Sequence, residues 1–354
     1  MQQSSIDTSA TAAPFTAGFE HKRHFTDLDG LRGLLALSVV FLHYGGNLLM
    51  LRATRGVVPG FEFQLSVDFF FLLSGFVLTH AMRGGVPDAT GFAIKRAFRL
   101  LPLYYLGFAA MLVLSLIATR PAPFIHFHVT PRMILSDIAL ITPALRHDPL
   151  DAPAWSVTWE LFLPILAVIL ANRVRLPVRR FAPALLVLLL VCMSYTSWIV
   201  AIDGWAYAAR AFLGLAAGMC LRHCADHWRV PPALRRPAVF HVLIALLLAI
   251  MMAARIVPIA AALFPWFAAA AIVAGTGTRG LLSRRPFAWL GAISYSLYLV
   301  HVPVLAAIFM LGGVDRGSPL VKLGALVAAL ALATLLTVLV ERPAMRAGRR
   351  LRAR

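Results

Sequence analysis

The run LRGLLALSVVFLHYGGNLLML, residues 31–51, decides the fold. At about 1.5 Å per helical residue it reaches across a hydrocarbon layer of about 30 Å, with Arg32 and His43 as its interruptions. Nine further runs of comparable character follow, at roughly 63–82, 100–119, 156–171, 182–202, 207–222, 238–255, 257–275, 286–311 and 320–341. The expected fold is therefore all-α: a polytopic integral membrane helical bundle of about ten transmembrane helices. The whole composition agrees. Of 354 residues 60% are hydrophobic and 14% charged, with a mean hydropathy of +0.81, against about 45–50% and about 25% in soluble domains. A soluble enzyme, a disordered chain, a collagen and a coiled coil are all excluded.

Charge gives the orientation. The chain carries 33 Lys and Arg against 15 Asp and Glu, a formal net charge of +18. In a soluble protein such a balance would point to nucleic acid. Here no nucleic acid partner is expected, because loop cations orient membrane helices. Counted over alternate sides of the ten runs, 23 Lys and Arg fall on the side holding both chain ends and 8 on the other. Both termini are thus expected in the cytoplasm. Residues 1–24 have no apolar core of a signal peptide and read as a flexible cytoplasmic tail. Residues 25–343 read as one membrane domain, and 344–354 as a basic cytoplasmic tail. The Pro-punctuated stretch 120–155 is expected outside, either covering an outward-facing site or as a plain connector, and 132–143 within it as an interfacial helix. Cys192, Cys220 and Cys224 make no disulfide framework. Cys220, His223, Cys224 and His227 share a helical face, but the row straddles the membrane edge and no metal is expected.

An ionisable group at a helix centre costs about 2.5–3.5 kcal/mol on insertion scales, so those present usually face the bundle interior and have a task. They are Arg32, His43, Asp68, Glu160, Arg210 and His301. Eleven residues separate Arg32 from His43, three turns plus about 20°, which puts both on one face about 16 Å apart in height. Arg32, Arg96 and Arg99 would form an inner cationic layer, while His43, His301, Asp68 and Glu160 would form an outer one. Guanidinium groups at the cytoplasmic mouth suit a phosphorylated ligand; an imidazole beside a carboxylate suits proton transfer. Each residue also has a plainer use. Arg96 and Arg99 could simply anchor a helix end, Asp68 and Glu160 could pair with Arg210 or helix termini, and His43 and His301 could be packing histidines. Ser74 before Gly75 suits a close-packed helix crossing.

These residues also carry a family resemblance. DGLRGLLALSVVFLHY (29–44) resembles the first-helix signature of the acyltransferase family 3 membrane proteins, an Arg and a His separated by ten residues. SVDFFFLLSGFVLTH (66–80), KRAFRLLPLYY (95–105), AWSVTWELFLP (154–164), AISYSLYLVHVPV (292–304) and the Glu-Arg-Pro at 341–343 are similar to further segments of that family, in order, over nearly the whole chain. The resemblance implies a multi-pass protein of the bacterial cytoplasmic (inner) membrane. It would move an acyl group, commonly acetyl, from cytoplasmic acyl-CoA to a carbohydrate or other hydroxyl outside. It assigns Arg32 and His43 to the essential pair and Arg96 and Arg99 to acyl-CoA. After Glu160 the chain has Leu161, Phe162, Leu163 and Pro164, where the family often has a second acidic residue and an aromatic.

The function expected is O-acyl transfer from acyl-CoA, probed at His43, Arg32, Asp68 and Glu160 as catalytic residues and at Arg32, Arg96 and Arg99 as donor-binding ones. No tightly bound cofactor is implied, since acetyl-CoA would be a substrate. The partners are the donor, a glycan or lipid-linked saccharide acceptor, and membrane lipids. In this scheme Asp68 or Glu160 would orient the His43 imidazole. A transporter or flippase of a glycan or lipid precursor would use similar buried charges without chemistry, and would leave its acceptor unmodified.

Overall fold

The computed structural model describes residues 25–56, 60–119, 124–126, 128–145, 148–173, 178–198, 204–228, 230–311 and 318–352. The expected tail at 1–24 lies outside them. The elements are α1 (Thr26–His43), α2 (Gly46–Ala53), α3 (Leu65–Ala81), α4 (Ala89–Ile117), α5 (Pro131–Ile138), α6 (Trp155–Arg173), α7 (Val178–Trp198), α8 (Gly204–His227), α9 (Pro237–Ile256), α10 (Phe264–Gly275), α11 (Arg285–Leu311), α12 (Pro319–Leu336) and α13 (Arg342–Arg352). Among the described residues there is no β-strand. That is the outcome lipid enforces, because every backbone donor and acceptor must be satisfied within its own segment. Among the described residues eight helical stretches are long and apolar enough to cross a membrane, and α1 with α2 would make a ninth. The run 31–51 is thus not one straight rod: it bends by 77° between α1 and α2, where Gly45 takes φ 74°. The 24-residue α8 carries Arg210 and Arg222 and falls outside the eight.

Side-chain size sorts the helix faces. On α12, Ala325, Ala329 and Ala333 are fully buried at a spacing of four, while Leu323, Val327 and Leu335 are exposed. Small residues let backbones approach, and large apolar ones meet lipid. The same device binds α3 to α8, where Gly75 lies against the Leu215 carbonyl and Gly218 against that of Leu72. Asp68 and Arg210 then lock this crossing. The Arg210 guanidinium donates to both Asp68 carboxylate oxygens, at 2.8 and 3.0 Å, and to the Gln64 carbonyl at 3.1 Å. Both side chains are buried, so removing one strands the other in a medium that cannot solvate it. Asp68→Ala or Arg210→Ala should cost about 3–5 kcal/mol, seen as a lowered unfolding temperature in detergent. Replacing both with leucine should cost far less than the two single changes added together.

Two faces of the bundle can be told apart: α1 begins at the near face and runs to the far one. Helix α4 runs the same way, starting from Asp88, which caps it by accepting the Gly91 amide. The stretch after α4 does not lie across the surface as an interfacial helix. Thr130 caps α5 and Pro131 opens it, and α5 then descends along α4. The Tyr104 hydroxyl donates to the Asp137 carbonyl at 2.8 Å, and that of Tyr105 to Ile138 at 2.9 Å. Tyr105 lies twelve residues, about 18 Å, short of the far end of α4, so the segment dips deep into the bundle. Polar groups point inward there. The Asp137 carboxylate accepts the Thr142 hydroxyl at 2.7 Å and the Leu150 amide at 2.9 Å, whereas Leu135, Ile138 and Ile141 are exposed. This is how non-helical backbone survives at membrane depth, satisfied by protein rather than water. Residues 344–352 are helical. After a π-helical turn, Thr337–Glu341, they continue as α13, whose Gly348 packs on Phe98 of α4.

Candidate active site

Helices α1 and α11 run parallel and touch along their length. Gly33 meets Leu290 and Gly291, where a Cβ on Gly33 would lie 2.5 Å from the Gly291 nitrogen and 2.6 Å from the Leu290 carbonyl carbon. Ten residues further along each helix, His43 meets His301. The His43 Nδ1 stands 3.0 Å from His301 Nε2 and 3.0 Å from the Val39 carbonyl. The His301 Nδ1 stands 3.0 Å from the Leu297 carbonyl.

This chain of contacts fixes the tautomers. A carbonyl only accepts, so His301 Nδ1 carries a hydrogen and donates to Leu297. A neutral imidazole has one N–H, so His301 Nε2 is an acceptor. His43 Nδ1 must then carry its hydrogen, shared between His301 and Val39, which leaves His43 Nε2 with a free lone pair. His301 is wholly buried, while His43 is half-buried. Tyr44 closes the back of the pair, its hydroxyl donating to the His301 carbonyl at 3.1 Å. The Phe124 ring covers the far side, 5.5 Å from that of His43.

Toward the near face a second polar layer gathers around α11. Arg32 donates to the Ser294 hydroxyl at 3.1 Å and the Gly291 carbonyl at 3.0 Å, with Asp29 at 3.6 Å. Arg32 and His43 thus both face α11, the shared track expected of their spacing. The next residue, Tyr295, donates to the Leu100 carbonyl at 2.6 Å and lies within electrostatic reach of Arg96, Arg99, Glu160 and Glu341. Arg96 donates to the Glu160 carbonyl at 2.6 Å, with the Glu160 carboxylate at 3.7 Å. Arg99 makes no hydrogen bond and no ion pair among the described residues. On the other side of Tyr295, Ser296 donates to the Glu341 carboxylate at 2.9 Å and touches the Thr337 hydroxyl at 2.7 Å. The layer is recessed: Arg32 is six residues, about 9 Å, above the start of α1, and Tyr295 is ten residues, about 15 Å, above that of α11.

Several expectations change place. Asp68 does not orient His43, because Arg210 occupies both of its oxygens. Glu160 belongs to the near layer with Arg96, not beside the imidazole. The dipping segment before α6 starts that helix deep in the bundle, so its sixth residue already reaches Arg96. The group on His43 is His301, which the sequence placed at the right height without giving it a task. Glu341, buried with Ser296 on the π-helical turn, also had no task assigned. Among the described residues no group of three or more His, Cys, Asp or Glu is placed to hold a metal.

The near layer can hold an anion and the far pair can take a proton from a hydroxyl. Known proteins add the chemistry. A family model described as an acyltransferase domain, that of acyltransferase family 3, matches residues 25–340. The chain is similar to the protein named "Putative peptidoglycan O-acetyltransferase YrhL" of Bacillus subtilis (strain 168), 26% identical over 333 residues, covering 81% of this chain and 49% of that protein. It thus spans about half the length of that relative. It is also similar to "Protein 2 in picA locus" of Rhizobium radiobacter, 34% identical over 157 residues, covering 39% of this chain and 77% of that protein. No solved structure matches.

Proposed function

This chain belongs to acyltransferase family 3, and from that premise we propose that it carries an acyl group, most simply acetyl, from acyl-CoA in the cytoplasm to a glycan hydroxyl outside the bacterial cytoplasmic membrane. The observation that carries this reading is that α1 delivers a guanidinium and an imidazole to the same neighbouring helix, about 16 Å apart. The bias of 23 Lys and Arg over 8 makes the near face cytoplasmic.

In this mechanism the phosphates of acyl-CoA bind at the near layer. Arg99 is the readiest partner, since among the described residues no carboxylate pairs with it; Arg32 is half-exposed, and Arg96 is already engaged with Glu160. The pantetheine arm then threads along the α1–α11 seam toward His43. The acceptor hydroxyl arrives from the far face and gives its proton to His43 Nε2 as its oxygen attacks the thioester carbon. The tetrahedral intermediate collapses, the C–S bond breaks, and the imidazolium returns the proton to the departing thiolate. The products are an O-acyl glycan and free CoA. His301 acts through His43, stabilising the cation that forms on it.

The test is the protein in proteoliposomes with isotopically labelled acetyl-CoA and a saccharide acceptor, read by mass spectrometry of the acceptor and release of CoA. Label on the acceptor hydroxyl is expected; an unlabelled acceptor with no CoA released would overturn the reading. Arg99→Ala should raise KM for acyl-CoA about 10–150-fold, the equivalent of a charge-assisted hydrogen bond of about 1.5–3 kcal/mol. kcat should change little.

A further inference from the structure

We propose that Phe124 and the cavity beside it form the acceptor site, a vestibule on the far face for a polyhydroxylated sugar, with the Phe124 ring as the wall that keeps water from His43. The proposal rests on His43 as the base.

The first observation is conformational. Phe124 has φ 65°, a region that bulky side chains avoid because Cβ crowds the backbone. Strain of that kind persists where the surroundings enforce it, and it gathers at ligand clamps. The enforcing contacts are evident. Phe124 packs between the α11–α12 cluster and the far end of α4, around Phe108, Met111 and Leu114. Its ring meets the half-buried His43 at 75°, centroid to centroid 5.5 Å. The strained turn thus aims an aromatic ring at the imidazole whose Nε2 is left free.

The second observation is the space next to it. A cavity of about 430 Å³ is lined by Ser115, Leu116, Ala118, His128, Val129 and Thr130. It lies within the same small structure, because the His126 amide donates to the Ser115 hydroxyl at 3.4 Å and Phe124 is two residues away. Val129 of that lining and Phe124 pack on the same apolar cluster, so cavity and ring share one neighbourhood. Its hydroxyls and imidazole suit a sugar's hydroxyl groups, and an aromatic ring suits its apolar C–H face.

Without a sugar in place, water is the smaller competitor for the same base. Water would attack the thioester carbon, give its proton to His43 and yield a free carboxylic acid and CoA. The Phe124 ring holds that reaction down by filling the approach.

The experiment compares wild type with Phe124→Gly, which accepts a positive φ, in proteoliposomes with acetyl-CoA and the saccharide acceptor. The ratio of CoA released to acyl transferred should rise at least fivefold, with KM for acetyl-CoA unchanged. His128→Ala should raise KM for the acceptor several-fold while leaving that ratio alone. If Phe124→Gly fails to fold, Phe124→Asn tests the same ratio, since asparagine also tolerates this backbone. An unchanged ratio and an unchanged acceptor KM would overturn the vestibule. A wild type that neither transfers acyl groups nor releases CoA would instead overturn the acyltransferase mechanism beneath it.

Discussion

His43→Ala is expected to reduce acyl transfer about 10²–10⁴-fold, the range that a positioned general base supplies, while the protein still inserts and unfolds near the wild-type temperature. The reason lies in the contact set. Among the described residues His43 bonds only to the Val39 carbonyl of its own helix and to His301, and it is half-buried rather than central to the packing. Losing it removes the one free imidazole lone pair and little else. His301→Gln should then act as a weaker version of the same lesion. It removes the acceptor that stabilises a cation on His43, so kcat should fall about 10–100-fold, the range seen when the hydrogen-bond partner behind a functional imidazole is lost. KM for acyl-CoA should hold, because the near layer is untouched. Single-turnover acyl transfer in proteoliposomes separates the two quantities. Wild-type rates in His43→Ala would sink the assignment.

The second large effect is expected from a single methyl group about 15 Å from the chemistry. Gly33→Ala places a Cβ 2.5 Å from the Gly291 nitrogen, and backbone cannot rotate aside as a side chain can. Helix α1 must shift off α11, and the His43–His301 contact ten residues away must lengthen. Overpacking of this kind costs about 1–3 kcal/mol. A misplacement of about 1 Å at the reacting groups costs on the order of 10²-fold in rate. Reduced activity with a lowered unfolding temperature in detergent is the expected result. A fully active Gly33→Ala protein would show that the two helices do not act as one rigid pair.

Much of this was legible in the sequence. The apolar runs gave the helical class, and the eleven-residue interval put Arg32 and His43 on one face of α1, as found. What a run of residues does not give is its offset against another run. Glu160 was expected among the outer groups because α6 was taken to begin at the membrane surface. It begins deep, because 131–145 and 148–151 fold back into the bundle, and the apolar face of α5 looks outward. The sequence of α5 reads as an interfacial helix because its periodicity is amphipathic, and amphipathicity is the same whether the polar side faces water or a buried network. Asp68 could be read with His43 or with Arg210; the bidentate geometry of an arginine decides for Arg210. His301 stood at the right height, yet only the register between α1 and α11, set where Gly33 meets Gly291, brings its ring to His43.

The seam between α1 and α11 also imposes an order on biogenesis. His43 and His301 are 258 residues apart, so the first helix enters the bilayer without the α11 partners of its polar side chains. At typical synthesis rates of about 5–20 residues per second it waits roughly 10–50 s for its counterpart. During that interval Arg32 and His43 need a temporary host, whether insertion machinery, lipid headgroups or water. Any product terminated before α11 is therefore more than inactive: it leaves those two groups with only the partners on their own helix, and a quality-control protease has a half-satisfied helix to recognise.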